Sequence, residues 1–175
     1  MAVLNNETMN TLLNRRSVRN FKSEPISNEE LDTILEAGLW APSGMNMQSC
    51  HLVVVQTAEV REKLFAAAVS FPNRGGNPFY DAPVVILAFA DKNACTPVQD
   101  ASLAIGNMAN AAASVGVASC WINCVRDLFE TPQGKALRQE LLLDERFLPV
   151  GSLALGYANE KPEPKPRNAG RVSFF

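Results

Sequence analysis

Between residues 101 and 125 the chain carries no charged side chain. A run of that kind has to be buried, in protein or in lipid. Ser102, Asn107, Asn110, Ser114 and Asn123 are scattered through it, and Gly106 and Gly116 interrupt it. The run therefore reads as a buried helix over 98–115 followed by a buried strand over 117–123, not as a membrane span. Ala101, Ala104, Gly106, Ala109, Ala111, Ala112 and Ala113 make the helix narrow. Small residues let helices approach closely. So broad an apolar face suits a core or a subunit interface better than a solvated surface.

Other elements can be placed around that pair. A first helix over 7–14, capped by Asn5 or Asn6, has Met9, Leu12 and Leu13 on one face. Ser27 and Glu30 form a capping box, with Ile26 and Leu31 as a hydrophobic staple. Leu31, Ile34, Leu35, Gly38 and Leu39 then repeat at helical spacing until Pro42 stops the run. Strands are expected over 52–55, 83–89 and 148–156, and helices over 58–69 and from Thr131-Pro132 to about residue 143. Residues 71–80 form a loop rich in Pro, Gly and Asn, a connector or a lid. From residue 158 on, Pro162, Pro164 and Pro166 alternate with Glu163 and Lys165, which enforces an extended tail. The expectation is one domain over 1–175, with 158–175 as that tail.

With 47% hydrophobic and 19% charged residues, the 175-residue chain has the composition of a globular protein. A net charge of −2 supplies no global field for nucleic acid. Basic residues cluster twice, at Arg15, Arg16, Arg19 and Lys22 and again at Lys161, Lys165, Arg167 and Arg171. Arginines at a helix C-terminus are stabilising in their own right. Two clusters that converge would also suit a phosphate monoester. Cys50, Cys95, Cys120 and Cys124 form no CxxC pair, and His51 is the single histidine, so no metal site is expected and free buried thiols in a reducing cytoplasm are. Residues 1–10 are polar and mixed, without a leader pattern. Nucleophile–histidine arrangements, a G-x-G-x-x-G turn and a phosphate-binding Walker loop are missing. Glu29-Glu30 reads as helix-start charge. A chain with so few titratable site groups can still do redox chemistry, because a cofactor then carries the reaction.

Five motifs occur in a telling order. Arg15-Arg16-Ser17-Val18-Arg19-Asn20-Phe21 resembles the R-R-S-x-R-x-F opening of the nitroreductase family. Ala41 to Gln48, reading APSGMNMQ, is similar to that family's A-P-S-x-x-N-x-Q loop. Asp81-Ala82-Pro83 before an apolar strand resembles its D-A-P-V segment. Gln99-Asp100-Ala101-Ser102, with Asn107 beyond, resembles its long central helix. GSLALGYANEKPEPKPR, from Gly151 to Arg167, resembles its closing strand and K-x-R tail. The likeness runs over about residues 12–168. The chain departs from it at Gln48-Ser49-Cys50-His51, where family members often read Q-P-W or similar, and at Asn123-Cys124, which replaces acidic or glycine residues often found there.

The resemblance implies an α+β fold, a mainly antiparallel sheet flanked by helices, in an intertwined homodimer with FMN at the interface. By motif position, Arg15 and Ser17 would hold the phosphate and ribityl chain, with Arg16 beside them and Lys165 and Arg167 joining from the tail. Arg19 would lie at the N1–C2=O edge of the flavin. Pro42, Ser43, Asn46 and Gln48 would approach from the other subunit, and Asn123 and Cys124 would lie near flavin N5. The implied activity is a two-step, ping-pong transfer of reducing equivalents from NADH or NADPH to nitroaromatics, quinones or related small acceptors. No side chain is catalytic in it. Reductive dehalogenation, flavin cleavage and flavin binding without turnover are the other tasks open to such a chain.

Overall fold

The computed structural model describes residues 4–69 and 76–175. Helix α1 (Glu7–Asn14) starts at Asn6, whose side chain accepts the Met9 N–H. Helix α2 (Asn28–Leu39) starts at Ser27 with both hydrogen bonds of the expected capping box. Strand β1 (Cys50–Val55) is followed by α3 (Ala58–Val69), β2 (Val84–Asp91) and the long α4 (Pro97–Ser114). Then come β3 (Ala118–Ile122), a short α5 (Val125–Leu128), α6 (Pro132–Glu140) and β4 (Phe147–Gly156). Of the expected loop over 71–80, residues 71–75 lie outside the described residues. Its last part turns on Asn77, whose side chain accepts the Phe79 N–H and donates to Asp81.

The four strands form one antiparallel sheet in the order β1-β2-β4-β3. Strand β2 is central, and both its faces are buried, which explains its unbroken apolar sequence. Val85, Leu87 and Phe89 face a core shared with Leu64, Leu128 and Leu137 on α3, α5 and α6. Ile86 and Ala88 face Ile34, Ile105 and Met108 on α2 and α4. The sheet is thus sandwiched between two helical layers. Gly38 sets the spacing between α2 and α4: a Cβ there would lie 2.7 Å from Met108 Cγ. A register shift at Ala88/Phe89 leaves Val150 without a ladder partner on β4, beside Pro149.

Three sequence expectations change. Helix α6 stops at Glu140, short of residue 143, because Leu142 is left-handed (φ 52°) and the Leu143 N–H closes back on Arg138 O. The four-residue α5 has no period long enough to be legible in sequence. Leu12, Leu13 and Leu39 keep helical spacing but stay exposed. Cys95 is exposed and Cys50 half-buried, so only Cys120 and Cys124 are the buried thiols expected. Among the described residues, no helix is long and apolar enough to cross a membrane.

The segment after α1 closes the free edge of β3. Ser17 bridges Ser119 in parallel, and the Val18 N–H donates to Ser119 O at 3.0 Å. Phe21 then bridges Ala158, just past the end of β4. This path carries the arginine motif along the sheet edge to the base of the tail.

Candidate active site

Five of the predicted site residues line two separate cavities: Arg15 and Arg16 the first, Pro42, Ser43 and Gln48 the second. The first is a groove of about 420 Å³ between α1, the end of α4, the β3 edge and the tail. Arg15, Arg16, Ser119, Glu160 and Lys161 line it. Arg16 is partly occupied, since its Nη1 donates to Leu13 O and Arg15 O at 2.7 and 2.8 Å and so caps α1. On the tail side, residues 157–160 are zipped to 19–22. Lys22 N–H donates to Tyr157 O, Asn159 N–H to Asn20 O, and Arg19 N–H to the Glu160 carboxylate. Tyr157 is itself tied by its hydroxyl to Glu30 of the capping box.

Two buried groups in β3 report the character of this region. Burial pushes the Cys120 thiol up. Arg19 and Arg15 pull it down, Glu160 adds to the rise, and a hydrogen bond with Ser17 lowers it. The charges of Arg15, Arg19 and Glu160 thus all act on one buried position, to which Ser17 is hydrogen-bonded. Ser119 is 2% exposed, and its hydroxyl has no hydrogen-bond partner. A buried hydroxyl left unpaired costs about 1–3 kcal/mol, so a groove floored by one is suited to a polar ligand.

The second cavity, of about 210 Å³, contains Pro42, Ser43, Gln48, Ser49, Cys50 and Asp100. Its loop is a single 3-10 turn, Gly44–Asn46, with Met45, Asn46 and Gln48 all left-handed (φ 52°, 55° and 48°). Non-glycine residues enter that region only when their surroundings enforce it. Asp100, in the first turn of α4, does the enforcing. Its carboxylate accepts from Gly44 N–H at 3.0 Å, Ser49 Oγ at 2.7 Å and Thr96 Oγ1 at 2.8 Å. Ser43 Oγ accepts the Gln48 N–H at 2.9 Å. Position 44 admits glycine alone, because a Cβ would lie 2.1 Å from Thr96 Oγ1. Met45, Asn46 and Gln48 are left exposed at the loop's tip.

Burial opposes ionisation of Asp100, but the hydrogen bonds from Ser49, Gly44 and Thr96 outweigh it, and its pKa is lowered below the ordinary 3.8. The neighbouring Cys50 thiol is pushed up to about 12, first by burial and then by the Asp100 charge. That thiol is protonated and unreactive at neutral pH.

The other predicted residues line neither cavity: Ser17 and Arg19 lie on the segment beside β3, and Asn46 is exposed at the loop's tip. Asn123 is exposed at the end of β3, and Cys124 is buried as the cap of α5. Lys165 and Arg167 are exposed on the tail, and it is Lys161 that lines the groove beside Arg15 and Arg16. Sequence reasoning passed over Asp100 as an anchor, although its signal was present: a single charge at the threshold of an uncharged helix. Ser119 and Glu160 carried no such signal.

The family model described as nitroreductase family matches residues 12–157. The Bacillus subtilis protein called FMN reductase, NAD(P)H, is 31% identical over 185 residues, 93% of this chain and 70% of that protein. A nitroreductase from Bacteroides fragilis, solved with bound FMN, superposes with a TM-score of 0.88 at 30% identity. The match covers 98% of this chain and all of that one. A nitroreductase from Desulfitobacterium hafniense, also with bound FMN, superposes with a TM-score of 0.88 at 28% identity, over 98% of this chain and 100% of that one. The chain belongs to the nitroreductase family.

Replacing Asp100 with Asn puts an amide where three donors need an acceptor. Asp100→Asn is expected to lower stability at pH 7 by about 1–3 kcal/mol. Because the folded-state pKa is lowered, the wild-type contribution is complete above the ordinary carboxylate value and is lost as pH falls through the lowered one. Urea unfolding across the acid range should therefore show a shallower loss of stability in Asp100→Asn than in wild type. Parallel curves would remove Asp100 as the anchor.

Proposed function

We propose that this chain is an FMN-dependent NAD(P)H oxidoreductase, acting in the cytoplasm as a homodimer on small acceptors such as nitroaromatics and quinones. The observation that carries the reading is the groove, which Arg15, Arg16 and Lys161 line together with Ser119, whose buried hydroxyl has no partner. Cations and a buried donor fit a phosphate, and the family's solved members at TM-score 0.88 hold FMN. FMN, when bound, supplies the hydride chemistry that no side-chain constellation of this chain provides.

The residues divide the remaining work. Arg15 and Ser17 hold the phosphate and ribityl chain, with Arg16 at the helix end beside them and Lys165 and Arg167 closing from the tail. Arg19 sets its charge against the N1–C2=O edge, where electron density gathers on reduction. Asn123 and Cys124 offer backbone groups near N5. Pro42, Ser43, Asn46 and Gln48 approach from the other subunit. The separation of their loop from the arginine groove within one protomer favours that division. So does the exposed apolar surface of Leu13, Leu39 and Trp40, the last 79% exposed, which calls for a cover. Nicotinamide and acceptor take turns in one position, the ping-pong order. The four cysteines form no disulfide, which suits a reducing compartment.

The purified chain is expected to take up about one FMN per chain. Either NADH or NADPH should bleach its flavin absorbance without oxygen, and a nitroaromatic or quinone should restore it. Protein that cannot be loaded with micromolar FMN would end this reading. In light scattering the loaded protein should run as a dimer, and a stable FMN-bound monomer would contradict the shared site.

Arg19→Ala should lower the two-electron reduction potential, by about 30 mV for each 1.4 kcal/mol of differential stabilisation lost. Arg15→Ala should weaken FMN binding more and shift the potential less, because the phosphate is charged in both redox states. An unchanged potential in loaded Arg19→Ala protein would take Arg19 out of the flavin site.

A further inference from the structure

The anion groove contains a carboxylate. Glu160 lines it together with Arg15, Arg16 and Lys161. Its Oε1 accepts the main-chain N–H of Arg19. It does not sit there by chance of rotamer. The tail is held against residues 19–22 by Lys22 N–H to Tyr157 O and by Asn159 N–H to Asn20 O, each 2.9 Å, and by the Phe21–Ala158 bridge. The chain therefore fixes a negative charge among the cations that would receive a phosphate. Glu160 and the two arginines act with opposite sign on the same buried Cys120. A hydrogen-bond acceptor for Arg19 N–H could equally have been neutral, so the charge is a separate property from the latch.

We propose that Glu160 sets the affinity of the groove: a fixed carboxylate that offsets Arg15, Arg16 and Lys161 and keeps the phosphate end of FMN loosely held. The inference rests on the FMN reading above. Like charges repel across the groove, and exposure to solvent screens but does not abolish that repulsion. The chain with glutamate here trades binding strength for exchange of its flavin with the surrounding pool.

Glu160→Gln removes the charge and keeps an oxygen to accept the Arg19 N–H. The test is fluorescence titration of the full chain with FMN and with riboflavin, which lacks the phosphate, at low and at high salt. Glu160→Gln should bind FMN roughly fivefold more tightly than wild type at low salt, with the gain shrinking as salt rises. Its riboflavin affinity should change by less than about twofold. Glu62→Gln, the same charge change on the exposed face of α3, should leave both affinities as they were. Lys161→Gln, the reciprocal change in the groove, should weaken FMN binding by a similar factor, and gives an independent reading if Glu160→Gln folds poorly. Equal or weaker FMN binding in Glu160→Gln, or an equal gain for riboflavin, overturns the proposal and leaves Glu160 as a latch. A wild-type chain that binds neither flavin overturns the cofactor reading, and this inference with it.

Discussion

The Asp100 carboxylate is the point from which the functional half of the fold is organised. It is buried at the start of a helix that carries no other charge, and three donors from three places meet on it. Gly44 comes from the loop, Ser49 from the approach to β1, and Thr96 from the residue that caps α4. A buried charge is tolerable only when it is this well solvated by the protein. Once satisfied, it locks the loop into left-handed conformations that Met45, Asn46 and Gln48 would not adopt unaided. The polar side chains of Asn46 and Gln48 at the tip are thereby left facing outward.

The arginine groove depends on a different device. Strand β3 lies at the edge of the sheet, and an open edge invites pairing. Ser17 and Val18 pair with it at Ser119, and Phe21 then bridges Ala158 beyond the end of β4. A cluster of cations is thus attached to a rigid sheet and not to a frayed helix end. The tail returns over the same segment and adds Lys161 and Glu160. The main-chain register that brings residue 160 opposite residue 19 thereby gives the groove both signs of charge.

Thiol chemistry has little place in this arrangement. Burial raises the Cys50 and Cys120 thiols, and the Asp100 charge raises Cys50 further, so both remain protonated at neutral pH. What the protein contributes is placement, charge and the exclusion of water around a bound group.

Local and periodic features were legible in the sequence because their causes lie within a few residues. The Asn6 cap, the Ser27–Glu30 box, the two-faced burial of β2 and the small-residue α4 all follow from spacing and side-chain type. The candidate roles of Arg15, Ser17, Pro42 and Ser43 came instead from the resemblance of the motif order to the nitroreductase family. Three other matters were decided only by the tertiary structure. One is where α6 ends, which a left-handed Leu142 settles. Another is what holds the loop, which Asp100 does from 56 residues away. The third is which tail residues reach the groove. Glu160 and Lys161 reach it because antiparallel pairing of 157–160 with 19–22 puts them there, a relation across 141 residues that no local pattern encodes.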